Sequence, residues 1–436
     1  MATSTTYLER TFAAGDRRKW TWSAWVKRAN LGSNNWLFHT YLAGNNENSI
    51  FFTPDDQFAF SIYTGNNNNG RLTTNRKFRD TSGWYHLQCV WDSANSTAGN
   101  RMRMYVNGVE ETSFATDTNP PLNYEPIFNS AINHTIGQYG SNDASMRFSG
   151  SMSHVHFSDG YALAPTIFGE YDANGVWKIK TSPSFTLGTN GFTILKDGNT
   201  ITDQSSNSNN WSASGTLTKT EDNPSNVFAT WNGIADNLDV TLSNGNTSVA
   251  HGSNIERRPV ISSLGNSTGK FYAEFKPTSG ASGNIEFGIV TQPSPSAVGR
   301  YMLQNPKNCG SVSYINNGHI EVNNASSTVE NTYTANDIIG VAVDMDNKRI
   351  YFYKNGTLEN SGGTDFSGIT VGDGNFYFCN GDRSGTSTYA AHANFGNGYF
   401  GTTAVSSAGT NASGNGIFEY DVPTGYTALS TKGLNL

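Results

Sequence analysis

The stretch "GVAVDMDNKRIYFYKNG", residues 340–356, decides the fold, because it is dense in aliphatic and aromatic residues within a chain rich in Asn, Gly, Ser and Thr. Its pattern has period two. Ile350 and Phe352 fall on one face, and Arg349, Tyr351 and Tyr353 on the other, as in a strand with one buried side. Asn355-Gly356 then supplies the two positive-φ residues of a two-residue hairpin. Upstream, "GVAVDM" reads as a third strand joined through an Asp346-Asn347 turn, which places the meander at the centre of a sandwich.

A looser copy lies in the first half, "LQCVWDSANSTAGNRMRMYVNG", residues 87–108. Met102, Met104 and Val106 alternate with Arg101, Arg103 and Tyr105, and Asn107-Gly108 makes the turn. Aligned on Asn-Gly, the two stretches share Arg101/Arg349, Tyr105/Tyr353, Asn107/Asn355 and Gly108/Gly356. Two sandwiches of related architecture in tandem would account for the repetition, the alternative being the ordinary likeness of any two Asn-Gly hairpins.

Composition agrees. Across 436 residues, aromatic content is 12%, too high for disorder, while charged content is only 14% and Gly numbers 46. Asn and Gly suit many short strands joined by tight turns, so the fold class is all-β. The length asks for more than one core. All nine Trp lie at or before Trp231, which separates an aromatic-rich first half from a second half relying on Phe and Tyr. Between them runs a polar stretch, residues 197–226, read as an exposed connection with Trp211 anchoring it to a domain surface. The expected domains are therefore 1–196 and 227–436.

The net charge of −7 gives no footprint for nucleic acid. The three Cys form no C-x-x-C pair, and Cys89 and Cys379 sit in apolar runs as expected buried thiols, consistent with folding in a reducing cytoplasm. The N-terminal residues contain no apolar signal region, and no run approaches the ~20 apolar residues of a membrane span. Neither secretion by a signal peptide nor membrane insertion is expected.

"YLERTFAAGDRRKWTWSAWVKR", "GWYHLQCVWD…MRMYVNG" and "FSGSMSHVHFSDG" together resemble a laminin-G-like, concanavalin A-type jelly roll. "GKFYAEFKP", "IIGVAVDMDNKRIYFYKNG" and "FEYDVPTGYTALSTKGLN" resemble a SPRY domain, also a concanavalin-like sandwich. The resemblance implies two concanavalin A-like jelly-roll β-sandwiches in tandem. Their order, with the connector "GYALAPTIFGEYDANGVWKIK" and the segment "TDQSSNSNNW", is similar to virion proteins of tailed bacteriophages, notably those of marine bacteria.

No catalytic constellation emerges. The strand-borne E-x-D-x-x-E of laminarinase-like sandwiches, which sets two carboxylates across a glycosidic bond, is missing. Asp344 and Asp346 stand two apart, but Asp346 reads as a turn residue. His154 and His156 in "HVHF" share a strand face without further ligands at metal spacing, so they read as structural. Asp55-Asp56, the nearest candidate for a calcium loop, reads as a solvated turn. Gly-rich pieces lack the helix and Lys-Ser/Thr of a phosphate cradle. The expectation is a non-enzyme without metal or cofactor.

Binding is the better reading. Sugar sites on sandwiches combine aromatic faces with amides, hydroxyls or Arg. Three stretches read as loops offer this: "NLGSNNWLFHTY" with Trp36 and Tyr41, "IYTGNNNNGRL" with Tyr63 and Arg71, and "GQYGSND" with Tyr139. "QPSPSAVGRYML" adds Arg300 and Tyr301 in what the resemblance makes a variable SPRY loop.

The resemblance implies a tail fibre, tail-tip module or head appendage that adheres to the bacterial surface through glycans. Its expected partners are other virion proteins, further copies of the chain in a homo-oligomer, and a host polysaccharide or receptor. It would assemble in the host cytoplasm and reside in the virion. Capsid decoration or an adaptor role is the alternative, favoured by the lack of any heptad stalk before the first strand. A depolymerase is disfavoured by the missing carboxylate pair.

Overall fold

The computed structural model describes residues 6–140, 146–233, 240–252, 259–279, 285–291, 310–323, 325–369, 375–382 and 388–435. The chain divides into two compact units, residues 3–219 and 220–436. Each is a β-sandwich, and 48% of the structure is strand against 2% helix.

Among the described residues, the N-terminal unit pairs an eight-stranded with a six-stranded antiparallel sheet. The larger runs in the order Phe114–Thr118, Asn67–Lys77, Gln57–Thr64, Asn46–Phe52, Asn35–Leu42, Asn133–Ile136, Tyr7–Thr11, Ser212–Ser214. The smaller centres on Lys19–Arg28, between Gly150–Asp159 and Tyr85–Asp92. Between the sheets lies one aromatic core that includes Trp20, Trp22, Phe38, Phe60, Trp91, Phe128 and Phe157.

The Lys19–Arg28 strand is buried along almost its whole length because its second face is covered too. The connector after Asp159 lies over it. Gln88 Nε2 donates to Leu163 O at 2.7 Å, Trp177 stacks on His86, and Phe168 stacks on His156. The connector is thus part of the sandwich rather than a tether.

The polar stretch 197–226 corrects the expectation of an exposed linker. Trp211 is 4% exposed and belongs to the core, edge-on to Phe192 and Phe12. Ser212–Ser214 adds a strand beside Tyr7–Thr11. Asp203 holds the polar loop together by accepting the N–H groups of Thr193, Ser205 and Asn209. Side chains that looked solvating are spent on satisfying a tightly turned backbone. The boundary between the units falls at Lys219/Thr220.

In the C-terminal unit, the quoted meander is confirmed as Ile339–Asp344, Arg349–Lys354 and Thr357–Leu358. Among the described residues it lies toward one edge of a nine-stranded sheet and not at its centre. Its density has another cause: both faces are covered. Val341, Val343, Ile350 and Phe352 face the main core. Tyr351 and Tyr353 pack with Tyr272, Phe418, Val422 and Tyr426 in a second cluster built by the C-terminal segment. A six-stranded sheet including Phe376–Asp382, Ile285–Thr291 and Ser311–Ile315 closes the sandwich.

The two Asn-Gly turns match in detail. Asn107 and Gly108 have φ of 49° and 79°, Asn355 and Gly356 47° and 80°. Each Asn side chain accepts a backbone N–H at the start of the paired neighbouring strand, from His86 and Ile338, at 2.8 Å in both cases. Each Gly also lies beneath an aromatic ring: a Cβ would come within 2.5 Å of Trp177 at Gly108 and 2.6 Å of Tyr420 at Gly356.

Candidate functional site

The outer face of the six-stranded N-terminal sheet is sealed by the connector, and the meander's outer face by the C-terminal segment. The outer face of the eight-stranded sheet stands apart, because it gathers the sequence candidates of the first unit. Trp36 and Tyr41 are in the Asn35–Leu42 strand, Tyr63 in Gln57–Thr64 and Arg71 in Asn67–Lys77, so the first two stretches are not loops as read. Tyr139 follows Asn133–Ile136 in an excursion that folds back over the sheet. Arg300 and Tyr301 lie outside the described residues.

Register assembles the face. Ile50, Phe52, Phe58 and Phe60 point into the core, so their alternates point outward. Cross-strand partners then form rows: Trp36 with Phe51, His39 with Ser49, and Tyr41 with Glu47. The rows continue as Phe51 with Ala59, Ser49 with Ser61, and Glu47 with Tyr63. Ser61 pairs onward with Arg71. Small residues, Ser49 and Ser61, form a floor between the Trp36–Phe51 row and the Tyr41–Glu47–Tyr63 row.

Tyr139 closes one end. Its ring lies 4.4 Å from that of His39 and edge-on to Trp36 at 5.2 Å, and its hydroxyl donates to Glu47 Oε2. Burial is the main cause that raises the Tyr139 phenol, with the Glu47 hydrogen bond adding to it, so the phenol stays protonated as a donor. Trp36 stacks on Phe51 at 5.3 Å and is only 6% exposed, so it is a wall of the face and not the free loop aromatic expected. Tyr41 is 38% exposed, and Tyr63 and Arg71 are half-exposed. Beyond Tyr41 and Tyr63, hairpin tips bring amides together, with Asn45 Nδ2 donating to Asn66 Oδ1 at 2.7 Å.

His39 is fully buried, and burial, with His134 adding a like charge, holds its pKa near 3. Gly140 N–H donates to its Nδ1 at 2.8 Å, so the neutral ring carries its proton on Nε2. That Nε2–H is buried without a partner, as is Trp36 Nε1–H. Each such orphan donor costs about 1–3 kcal/mol. Several core indoles share this state, Trp20 and Trp22 among them, so the His39 donor is the more distinctive of the two.

His39, Glu47, Phe51 and the two serines escaped the sequence reading. Their signal was present as period-two alternation running through "NWLFHTYL", "NENSIFF" and "QFAFSIYT", but only pairing sets those alternates side by side.

The other sequence candidates resolve structurally. Asp56 is buried and not a solvated turn: it pairs with Arg28 at 3.1 Å and Arg79 at 3.0 Å and accepts Gly32 N–H at 2.9 Å. Burial opposes ionisation there, yet these partners together hold its pKa below the usual value. Asp344, rather than Asp346, holds the meander turn, accepting the N–H groups of Asp346 and Asn347 while pairing with Lys270 at 2.8 Å. His154 sits at a β-bulge with φ 49°, 6.2 Å from the His156 ring. His156 Nδ1 is bonded to Thr193 Oγ1 and His154 Nδ1 to Ser153 Oγ. Among the described residues, no group of three or more His, Cys, Asp and Glu has metal-holding geometry. Cys89 and Cys379 are both fully buried, as their apolar runs suggested.

Comparison with known proteins agrees with this architecture. Residues 3–167 match the sequence signature of the concanavalin A-like lectin/glucanases superfamily, and residues 270–384 that of the SPRY domain. No curated protein matches the sequence. Similar solved structures include the SPRY domain of human HERC1, 19% identical, covering 36% of this chain and 92% of that one at a TM-score of 0.27. Another is a heptameric SAP-like pentraxin from Limulus polyphemus, 20% identical, covering 38% and 74% at a TM-score of 0.29. The chain carries a concanavalin A-like lectin-type domain followed by a SPRY domain, two β-sandwiches in tandem.

Proposed function

We propose that this protein is a non-catalytic binding protein that recognises a saccharide on the outer face of its eight-stranded sheet. One observation carries the reading: Tyr41, Tyr63 and Tyr139 share one face with Glu47, Arg71 and an amide-rich rim. Tyrosine rings can lie against the apolar face of a pyranose, while a carboxylate, a guanidinium and amides bond its hydroxyls. The resemblance of the tandem to tailed-phage virion proteins supports placing it in the virion, as a tail-fibre, tail-tip or head-appendage component contacting the bacterial surface. Other virion proteins and further copies of the chain are then its partners. Several copies on one particle would raise weak single-site affinity by ~10²–10⁴.

Purified protein, multimerised, should bind host cells or their extracted surface polysaccharide. Tyr63→Ala should weaken this binding without lowering the melting temperature. Docking only onto particles that lack the protein, with no binding to cells or glycans, would replace recognition by the decoration or adaptor role. Release of reducing sugar from the polysaccharide would make it a depolymerase.

A further inference from the structure

The candidate face carries a guanidinium that, among the described residues, takes part in no ion pair. Arg17, Arg28, Arg76 and Arg79 of the same unit each lie within ion-pair distance of a carboxylate. Among the described residues, Arg71 has no such partner. Its Nε donates to Thr73 Oγ1 at 3.2 Å, which anchors the guanidinium and leaves its two terminal nitrogens without a protein acceptor. Arg71 pairs with Ser61 on one side and Thr118 on the other, so its neighbours are hydroxyls that neither neutralise nor crowd it.

Position gives that charge a use. Tyr63 is two residues along the strand from Ser61, which puts it diagonally across from Arg71 on the same face, ~7–8 Å away, while the guanidinium turns along its own strand toward Thr73, so an extended saccharide would span the two. Glu47 pairs with Tyr63 from the opposite side, and its Oε2 is taken by Tyr139. A hydroxyl donor suits the Glu47 end, and an oxyanion is the stronger match at the Arg71 end, because it meets the guanidinium's charge as well as its N–H groups. A planar guanidinium takes two oxygens of one carboxylate or sulfate at once, a geometry Lys cannot reproduce.

We infer that the site selects acidic saccharides, with the sugar's oxyanion on the Arg71 guanidinium, the pyranose face against Tyr63 and a ring hydroxyl on Glu47. The inference rests on the saccharide reading above and adds the class of saccharide.

The test uses the whole 436-residue chain, multimerised, with three polysaccharides: polygalacturonate carries carboxylates, dextran sulfate carries sulfates, and dextran is neutral. Polygalacturonate or dextran sulfate should be bound in preference to dextran, and whichever is bound identifies the oxyanion. Arg71→Gln should weaken binding of that polyanion by about 10-fold or more, the scale of hydrogen bonds to a charged group. Arg71→Lys, which keeps the charge, should lose less. Rising salt should narrow the gap between Arg71→Gln and the unaltered protein. Polyanion binding that is indifferent to Arg71→Gln overturns the inference. So does dextran bound as tightly as the polyanions, although sensitivity to Tyr63→Ala would then leave the saccharide reading standing. Failure to bind all three overturns acidic selectivity, and only failure on host polysaccharide as well removes the saccharide site.

Discussion

Acidification should unfold the N-terminal unit and spare the C-terminal one. Five of the eight His, at positions 39, 86, 134, 154 and 156, lie within residues 3–219, and all five are buried. Burial holds His39, His86 and His134 near 3, His154 near 4, and His156 well below its ordinary value. Hydrogen bonding blocks the proton as well. His39 Nδ1 accepts Gly140 N–H, His86 Nδ1 accepts Trp177 Nε1–H, and His134 Nε2 accepts Asn129 N–H. A proton on any of these nitrogens would face another N–H.

A depressed His pKa gives stability that is complete above the unfolded value of about 6.5 and is lost as pH falls through it toward the folded value. Each such His then costs roughly half to one kcal/mol between about pH 7 and pH 6, and roughly 2 kcal/mol between about pH 7 and pH 5. Five together cost roughly 3 and roughly 9 kcal/mol, against about 5–15 kcal/mol of total stability for a domain. Glu111, whose pKa burial raises, returns a part of this. In the C-terminal unit the effects oppose. His251, near 4, loses roughly 2 kcal/mol between about pH 7 and pH 5. Glu274, raised by burial to about 7, loses stability as pH rises from about 4.5 through 7, so acidification returns roughly 2 kcal/mol. His392, half-buried and lowered by burial, adds a smaller loss.

Thermal melts followed by Trp fluorescence isolate the first effect, because eight of the nine Trp lie in residues 3–219. The fluorescence midpoint should fall by roughly 6–12 °C between about pH 7 and pH 6, and calorimetry should show the other transition nearly unmoved. A fluorescence midpoint constant within about 2 °C from pH 7 to pH 5.5 would refute the reasoning.

Three further outcomes follow from the packing. Gly108→Val and Gly356→Val should each destabilise only their own unit, by more than the ~1–3 kcal/mol of backbone strain, because the new side chain also meets Trp177 or Tyr420. Separate calorimetric transitions check this. Trp211→Ala should cost the N-terminal unit ~3–5 kcal/mol in denaturant melts, and unaltered protein should resist proteolysis between residues 200 and 217; an effect below about 1 kcal/mol would return that stretch to linker status. Asp56→Ala should cost ~3–5 kcal/mol because it strands the buried Arg28, and an unchanged urea midpoint would show that the pair is dispensable.

Local chemistry was legible in the sequence, and long-range covering was not. The Asn-Gly hairpins, the period-two strands around them and the all-β class depend on residues adjacent in sequence, and they stand where the pattern puts them. The place of the meander near a sheet edge does not: its density reflects Phe418, Val422 and Tyr426 folding back over Tyr351 and Tyr353 from some 65–75 residues away. Trp211 sits in a stretch whose composition is that of a linker, and only the partners Phe12 and Phe192 make it core. The site divides in the same way. Residue type alone brought Trp36, Tyr41, Tyr63, Arg71 and Tyr139 forward, but as scattered loops, because Asn-Gly-rich hairpin tips flank them. Pairing register sets four strands side by side and fixes which alternate faces outward, so tertiary structure alone joins those residues to Glu47 and His39 and, among the described residues, leaves Arg71 outside any ion pair.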